Sequence, residues 1–252
     1  MDPYYIHQAI RSMDPNLDFS DPRTCITLPF PSLLPIPQRF QTTKLKDNVK
    51  GFQFMGRSVF SNLLEEVQTP DFLSQRHDLS LYGTSGTGKS HLLATLVCHL
   101  VRNKKRVIFL PDCHDLLKDA REGFRSALLF AFYDDRFSRQ TIENALSVDE
   151  LVGFVRNQPR GSLYLIVDQR NALEVGPDSD GPDLDKAIKY RAWEWLRFMS
   201  APSLYIFSAM ANKQSDRDAS LEQRNIKTIY LHEGMTWVCP NILNSLVSCS
   251  PG

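Results

Sequence analysis

The 252 residues are 42% hydrophobic, enough to bury one sizeable core and to carry appended segments. Lys plus Arg equals Asp plus Glu at 29 each, so no global field draws the chain toward nucleic acid or an anionic membrane. The opening "MDPYYIHQAIRSMDPNLDFSDP" lacks the basic start and apolar core of a secretory signal, and no run approaches the roughly 18 apolar residues of a membrane span, so the chain reads as soluble and intracellular.

Residues 1–48 hold several prolines, among them "LPFPSLLPIPQ", and little sustained periodicity; they read as an extended arm laid over the domain that follows. "SVFSNLLEEVQ" (58–68) has helical spacing, with Phe60, Leu63, Leu64 and Val67 on one side. From there strands and helices alternate. "DLSLYG" (78–83) predicts a strand, "KSHLLATLVCHLVRN" (89–103) a helix and "RVIFLPD" (106–112) a second strand. Residues 114–158 read as helical, with Ser147 to Glu150 as a capping box, and "SLYLIVDQ" (162–169) as the most apolar strand. "EVGPDSDGPDLD" (174–185) reads as a loop, 186–200 as a helix, "SLYIFSAM" (203–210) as a fourth strand and "NIKTIYLHE" (225–233) as a fifth. This alternation predicts parallel βαβ units and an α/β fold, with one domain over 49–235 and a tail over 236–252.

"LYGTSGTGKSHLL" (81–93) carries the chemistry. It fits GxxxxGK[ST] with Gly83, Gly88, Lys89 and Ser90, between a predicted strand and a predicted helix, which is the context the motif requires. Glycines let successive backbone N–H groups turn inward around a phosphate, and the helix N-terminus adds its positive dipole end. Gly83, Thr84, Ser85, Gly86, Thr87, Gly88, Lys89, Ser90 and His91 are therefore the candidate nucleotide-binding residues. Lys89 is placed to meet the β and γ phosphates of ATP, and the Ser90 hydroxyl to ligate the Mg²⁺ that bridges them.

The apolar strand ending in Asp168 supplies a carboxylate at the edge of the sheet where phosphates sit, a second candidate ligand for the metal. Where many hydrolysing proteins of this architecture carry Glu next, this chain has Gln169, which can position a water but not take its proton. Slow hydrolysis and a nucleotide-binding switch both stay open, and Glu174 reads as a solvated loop residue. Ser208 and Asn212, at the end of the fourth strand, are candidates for the γ-phosphate or the water.

Other features read as structure. Five cysteines without CxxC spacing read as reduced thiols, and the pairs Cys98–His99 and Cys113–His114 as packed or solvated side chains rather than metal ligands. Trp193 and Trp195 sit about 200° apart on a helix and form no single stacking platform. "RNKKR" (102–106) reads as a solvated helix cap.

Taken together, "LYGTSGTGKSHLLATLVCHLVRNKKRVIFLPDC", "YLIVDQRNAL", "SAMANKQ" and "IYLHEGMT" resemble the P-loop NTPase module of Crinkler effectors and the related retrotransposon hot spot proteins, over roughly residues 51–236. The resemblance implies an additional-strand (AAA-like) P-loop fold with sheet order 5-1-4-3-2. It implies that Lys89 and Ser90 carry the phosphates and magnesium, that Asp168 supports the metal and that Asn212 is the sensor residue, with Gln169 the family's own choice. It also implies secreted effectors acting in host nuclei, but the N-terminus carries neither a signal nor the usual recognition header, and "TWVCPNILNSLVSCSPG" (236–252) reads as a truncated or atypical ending.

The expectation is an Mg²⁺-dependent ATP-binding protein, a slow ATPase whose nucleotide state alters the region around 170–190. Its alternatives are a nucleotide-gated interaction module without significant hydrolysis and a P-loop phosphotransferase. The nucleotide is the partner that has a motif; no stretch specifies a protein or nucleic-acid partner, a membrane or an oligomeric state.

Overall fold

The computed structural model describes residues 2–68, 77–174, 183–210 and 225–231, and the chain enters it through a helix that its first residues cap. The Asp2 side chain accepts the Tyr4 N–H at 2.9 Å and Pro3 takes the first helical position, starting α1 (Pro3–Arg11). Ile6 and Ile10, one turn apart, bury its inner face. Strands β1 (Cys25–Pro29), β2 (Thr42–Lys44) and β3 (Lys50–Met55) then form an antiparallel sheet in the order β1-β3-β2. That sheet pairs residues on both sides of position 48, where the sequence reading ends its arm. Helix α2 (Val59–Gln68) follows, burying Phe60, Leu63 and Val67.

The remaining strands are β4 (His77–Gly83), β5 (Arg106–Leu110), β6 (Leu163–Val167), β7 (Ser203–Met210) and β8 (Asn225–Tyr230). They form one sheet in the order β5-β6-β7-β4-β8, with every pairing parallel. Counting from β4, this is the expected order 5-1-4-3-2, and the α/β reading holds. Helix α3 (Lys89–Arg102) connects β4 to β5. Between β5 and β6 the stretch predicted as helical divides into α4 (Cys113–Lys118), α5 (Ala120–Ala131), α6 (Arg136–Asn144) and α7 (Val148–Arg156). Asp112, Asp119, Asp135 and Ser147 each cap one of these helices through a side-chain oxygen. At α7, Glu150 reaches back to the Leu146 N–H rather than to that of Ser147, one residue off the expected box. Helix α8 (Asp183–Met199) precedes β7.

Strand alternation sorts the apolar side chains into two layers. Val107, Phe109, Ile166, Leu204 and Ile206 pack with α1, α3 and the antiparallel sheet on one face. Ile108, Leu110, Leu165, Val167, Tyr205 and Phe207 pack with α4, α5, α7 and α8 on the other. Each such side chain contributes roughly 1.5–3 kcal/mol by leaving water. The N-terminal segment is thus one wall of the core, with Phe19, Phe30, Phe40, Phe52 and Phe54 all buried.

Three expectations are refined. Cys98 and Cys113 are free and buried, but Cys25 is disulfide-bonded. Arg102 and Arg106 are more than solvated caps: Arg102 donates to the Asp14 carbonyl at 2.8 Å and lies over Phe19, and Arg106 pairs with Asp134 at 3.1 Å over Phe132. Trp195 donates to Asp149 at 2.9 Å and packs on Phe124, while Trp193 lies under Arg197, so the two form no platform. No helix of the described residues is long and apolar enough to cross a membrane.

His7 on α1 donates from Nε2 to the Phe130 carbonyl at 3.0 Å and stacks on Tyr133 at 3.7 Å, with Nδ1 buried and unpartnered. Burial lowers its pKa from the ordinary 6.5 to about 4. The folded state therefore prefers neutral His7, and its contribution is complete above pH 6.5 and lost as pH falls toward 4. Urea denaturation at pH 7.5 and pH 5 should show a loss of stability in the wild type that is about 2 kcal/mol smaller in His7→Gln.

Candidate phosphate and cation site

The loop from β4 into α3 has the backbone a phosphate cradle needs. Gly86 and Gly88 have φ of 81° and 79°, left-handed values that a Cβ would strain. Gly83 is required for space, since a Cβ there would lie 2.9 Å from the Leu231 carbonyl oxygen and 3.0 Å from Thr87 Oγ1. Gly88 is the N-cap of α3 and has no capping side chain, so the first amides of the helix are without the usual side-chain acceptor. Thr84, Ser85 and Gly86 are exposed, while Thr87, Lys89 and Ser90 are buried.

Lys89 folds back on its own loop. Its Nζ donates to the Gly83 carbonyl at 2.6 Å and the Thr84 carbonyl at 2.7 Å, with Thr87 Oγ1 at 3.4 Å. Burial lowers its pKa, and the charge of Asp168 opposes that shift. Thr87 Oγ1 in turn donates to the Thr84 carbonyl at 2.9 Å. Arg57, just past β3, donates to the Thr87 carbonyl and tethers the loop to the N-terminal segment.

Asp168 stands at the end of β6, beside β7 and opposite the loop, with only 1% of its surface exposed. Its Oδ1 accepts the Gln169 N–H at 2.9 Å and the Ser208 hydroxyl. Ser208 Oγ also accepts the Gln169 N–H, at 2.9 Å. This fork holds Gln169 at φ 58°, a left-handed conformation uncommon for a residue with a side chain, and starts a 3₁₀ turn over Arg170–Leu173. The Glu174 N–H closes that turn on the Asn171 carbonyl at 3.2 Å. The turn packs against β7 and α8.

The other oxygen of Asp168 belongs to a residue that the sequence reading passed over. Arg39 Nη2 donates to Asp168 Oδ2 at 2.9 Å and to the Pro111 carbonyl, Nη1 to Asp112 Oδ2 at 2.8 Å and Nε to Ser90 Oγ at 2.9 Å. One guanidinium thus joins Ser90 and Asp168, the pair read from the sequence as metal ligands, and adds Asp112. Burial pushes the Asp112 carboxyl upward, but hydrogen bonds from Arg39 and His114 outweigh it and hold the pKa below the usual value. The oxygens that Mg²⁺ would use accept hydrogen bonds from Arg39, so the residues as arranged do not fit a divalent ion. Among the described residues no cluster of three or more His, Cys, Asp and Glu could hold a metal.

The structure therefore brings together Lys89, Ser90, Asp168, Gln169 and Ser208. His91 is directed elsewhere: its ring packs 4.6 Å from Phe40 and 5.9 Å from Phe52, and burial lowers its pKa to about 4. Asn212 lies outside the described residues. Asp112 had a usable signal, since "FLPD" ends a strand in a carboxylate just as "LIVDQ" does. Arg39 had none, because only the fold carries it 51 positions along the chain to Ser90.

No protein-family model and no curated protein matches the chain. Among solved structures, a DNA replication initiation factor is similar at 18% identity and a TM-score of 0.35, over 68% of this chain and 44% of that one. AMPPCP-bound DnaA from Aquifex aeolicus is similar at 14% identity and a TM-score of 0.36, over 76% of this chain and 56% of that one. The chain spans about half the length of these structures.

Ser208 has a role that can be measured without any ligand. Ser208→Ala removes one donor from a buried carboxylate and one acceptor from the Gln169 amide, and should lower stability by roughly 1–3 kcal/mol in urea denaturation.

Proposed function

We propose that the chain binds a nucleoside triphosphate of the ATP class in the loop Gly83–Ser90 and hydrolyses it slowly, as a P-loop protein of the type its sequence resembles in Crinkler and retrotransposon hot spot proteins. The observation that carries this reading is the GxxxxGK[ST] loop seated between β4 and α3, with the Lys89 ammonium 2.6 and 2.7 Å from loop carbonyls and buried Asp168 at the C-terminal end of β6, separated from β4 by β7. Nucleotide entry would transfer Lys89 from those carbonyls to phosphate oxygens, while α3 amides and the loop meet the remaining negative charge. A divalent ion would require Ser90 and Asp168 to release Arg39.

Hydrolysis requires a water held in line with the γ-phosphate. Gln169, fixed at its backbone by Asp168 and Ser208, is proposed to orient that water, with Asn212 as the second candidate. Neither amide accepts a proton, which keeps turnover slow. The 3₁₀ turn Arg170–Leu173 links this point to α8 and is the proposed route from nucleotide state to conformation around 170–190.

The ties among Arg39, Ser90 and Asp168 favour a second reading, a nucleotide-gated interaction module without useful turnover. One experiment separates the two: binding of fluorescent ATP, with and without Mg²⁺, followed by phosphate release on the same sample, for wild type and Lys89→Ala. Wild type should bind, and Lys89→Ala should bind at least about tenfold more weakly, the loss of one charge-assisted phosphate contact. Slow phosphate release supports the ATPase, and binding without release supports the gated module. Tight binding retained in Lys89→Ala would overturn the site.

A further inference from the structure

We propose that Arg39 is the resident cation of this site: its guanidinium occupies the place of a divalent ion, so the chain excludes Mg²⁺ there and takes up nucleotide phosphate in metal-free form. The nucleotide half of this statement rests on the function proposed above; the exclusion of metal does not.

Three observations carry it. First, the contacts are those of a bound cation. Arg39 uses four of its five N–H groups on four oxygen acceptors, Ser90 Oγ, Asp112 Oδ2, Asp168 Oδ2 and the Pro111 carbonyl. A divalent ion bound to Ser90 and Asp168 would lie within a few ångströms of the guanidinium that donates to the same two oxygens, so charge repulsion makes the two occupants exclude each other.

Second, Arg39 is delivered by a fixed backbone rather than a loose strap. The Phe40 N–H closes a turn on the Pro37 carbonyl at 3.0 Å. The Phe40 ring is 3% exposed and packs edge-on to Phe30 at 5.0 Å and Phe52 at 5.4 Å, with the His91 ring of α3 at 4.6 Å. Residue 39 is thereby anchored against the same helix whose N-terminus carries Lys89 and Ser90.

Third, the cation is needed. Asp168 is 1% exposed, and a buried carboxylate without a counter-charge is heavily penalised. The side-chain donor of Ser208 and the amide of Gln169 serve Oδ1, while Arg39 supplies the positive charge at Oδ2. A divalent ion is one chemical solution to that requirement, and the guanidinium is another that stays with the chain.

The test begins without nucleotide. Mn²⁺ is titrated into wild type, Arg39→Gln and Arg39→Gln/Asp168→Asn, and free Mn²⁺ is followed by its paramagnetic resonance signal, with circular dichroism confirming the fold of each variant. Wild type should show no stoichiometric site. Arg39→Gln should gain one, with affinity at least about tenfold above any wild-type binding, a small part of the repulsion relieved between a guanidinium and a divalent ion a few ångströms apart. The double variant should lose it again. A stoichiometric Mn²⁺ in the wild type overturns the proposal, and that measurement decides even if Arg39→Gln does not fold; a folded Arg39→Gln that gains no site overturns it as well.

Fluorescent ATP is then added in EDTA and in Mg²⁺. Wild type should bind within about twofold in the two conditions, while Arg39→Gln should require Mg²⁺, its site now lacking a cation. Wild-type binding lost in EDTA and restored by Mg²⁺ overturns the proposal. If neither protein binds nucleotide in either buffer, the phosphate reading of the loop falls, and the Mn²⁺ titration still decides whether Arg39 excludes the metal.

Discussion

The buried carboxylate of Asp168 constrains everything around it. A charge with 1% exposure must be neutralised within the protein or protonated, and here its two oxygens are divided between a hydroxyl and an amide on one side and a guanidinium on the other. The first division bends the chain at Gln169 into a left-handed turn and fixes the exit from β6. The second draws in Arg39, and with it the turn that begins at Pro37. The aromatic wall of Phe30, Phe40 and Phe52 provides the apolar burial that holds the segment in place, while Arg39 sets its polar register. The N-terminal segment thus contributes to the core and to the site at once.

The same reasoning explains the state of the loop. Lys89 is buried with its ammonium against the carbonyls of Gly83 and Thr84, and burial lowers its pKa, so its charge is solvated by its own backbone. Those carbonyls are turned inward because Gly86 and Gly88 allow left-handed backbone on either side of Thr87. Arg57 then holds the Thr87 carbonyl from outside. Two arginines of the N-terminal segment therefore touch the loop region, one at its backbone and one at Ser90.

Much of the central sheet was legible from local pattern. The alternation of apolar strands with helices marks β4 to β8, and the glycine-lysine-serine run locates the loop between β4 and α3, because both depend on residues close in sequence. The order of the strands came from resemblance and is matched. What local pattern missed was the N-terminal segment, where prolines suppress periodicity although Asp2–Pro3 and the Ile6–Ile10 step announce α1. It also missed the divisions among α4, α5 and α6, set by single aspartate caps at 112, 119 and 135, although the Ser147 cap that starts α7 was read. Arg39 was beyond reach for a different reason. Its partners lie at 90, 111, 112 and 168, and no spacing rule connects an arginine in a proline-rich stretch to the ends of two parallel strands.

Charge balance ties the site to its proposed behaviour. In a site built from Lys89, Ser90, Asp168 and Mg²⁺, the divalent ion and the ammonium outweigh the single carboxylate and leave a positive field for phosphates. Here the carboxylates of Asp112 and Asp168 offset the guanidinium of Arg39 and the ammonium of Lys89, so the field that remains comes mainly from the loop amides and the α3 dipole. Such a site attracts a triphosphate less strongly, and it offers little extra stabilisation to charge that develops during phosphoryl transfer. With Gln169 rather than a carboxylate beside Asp168, both features fit the slow hydrolysis proposed above.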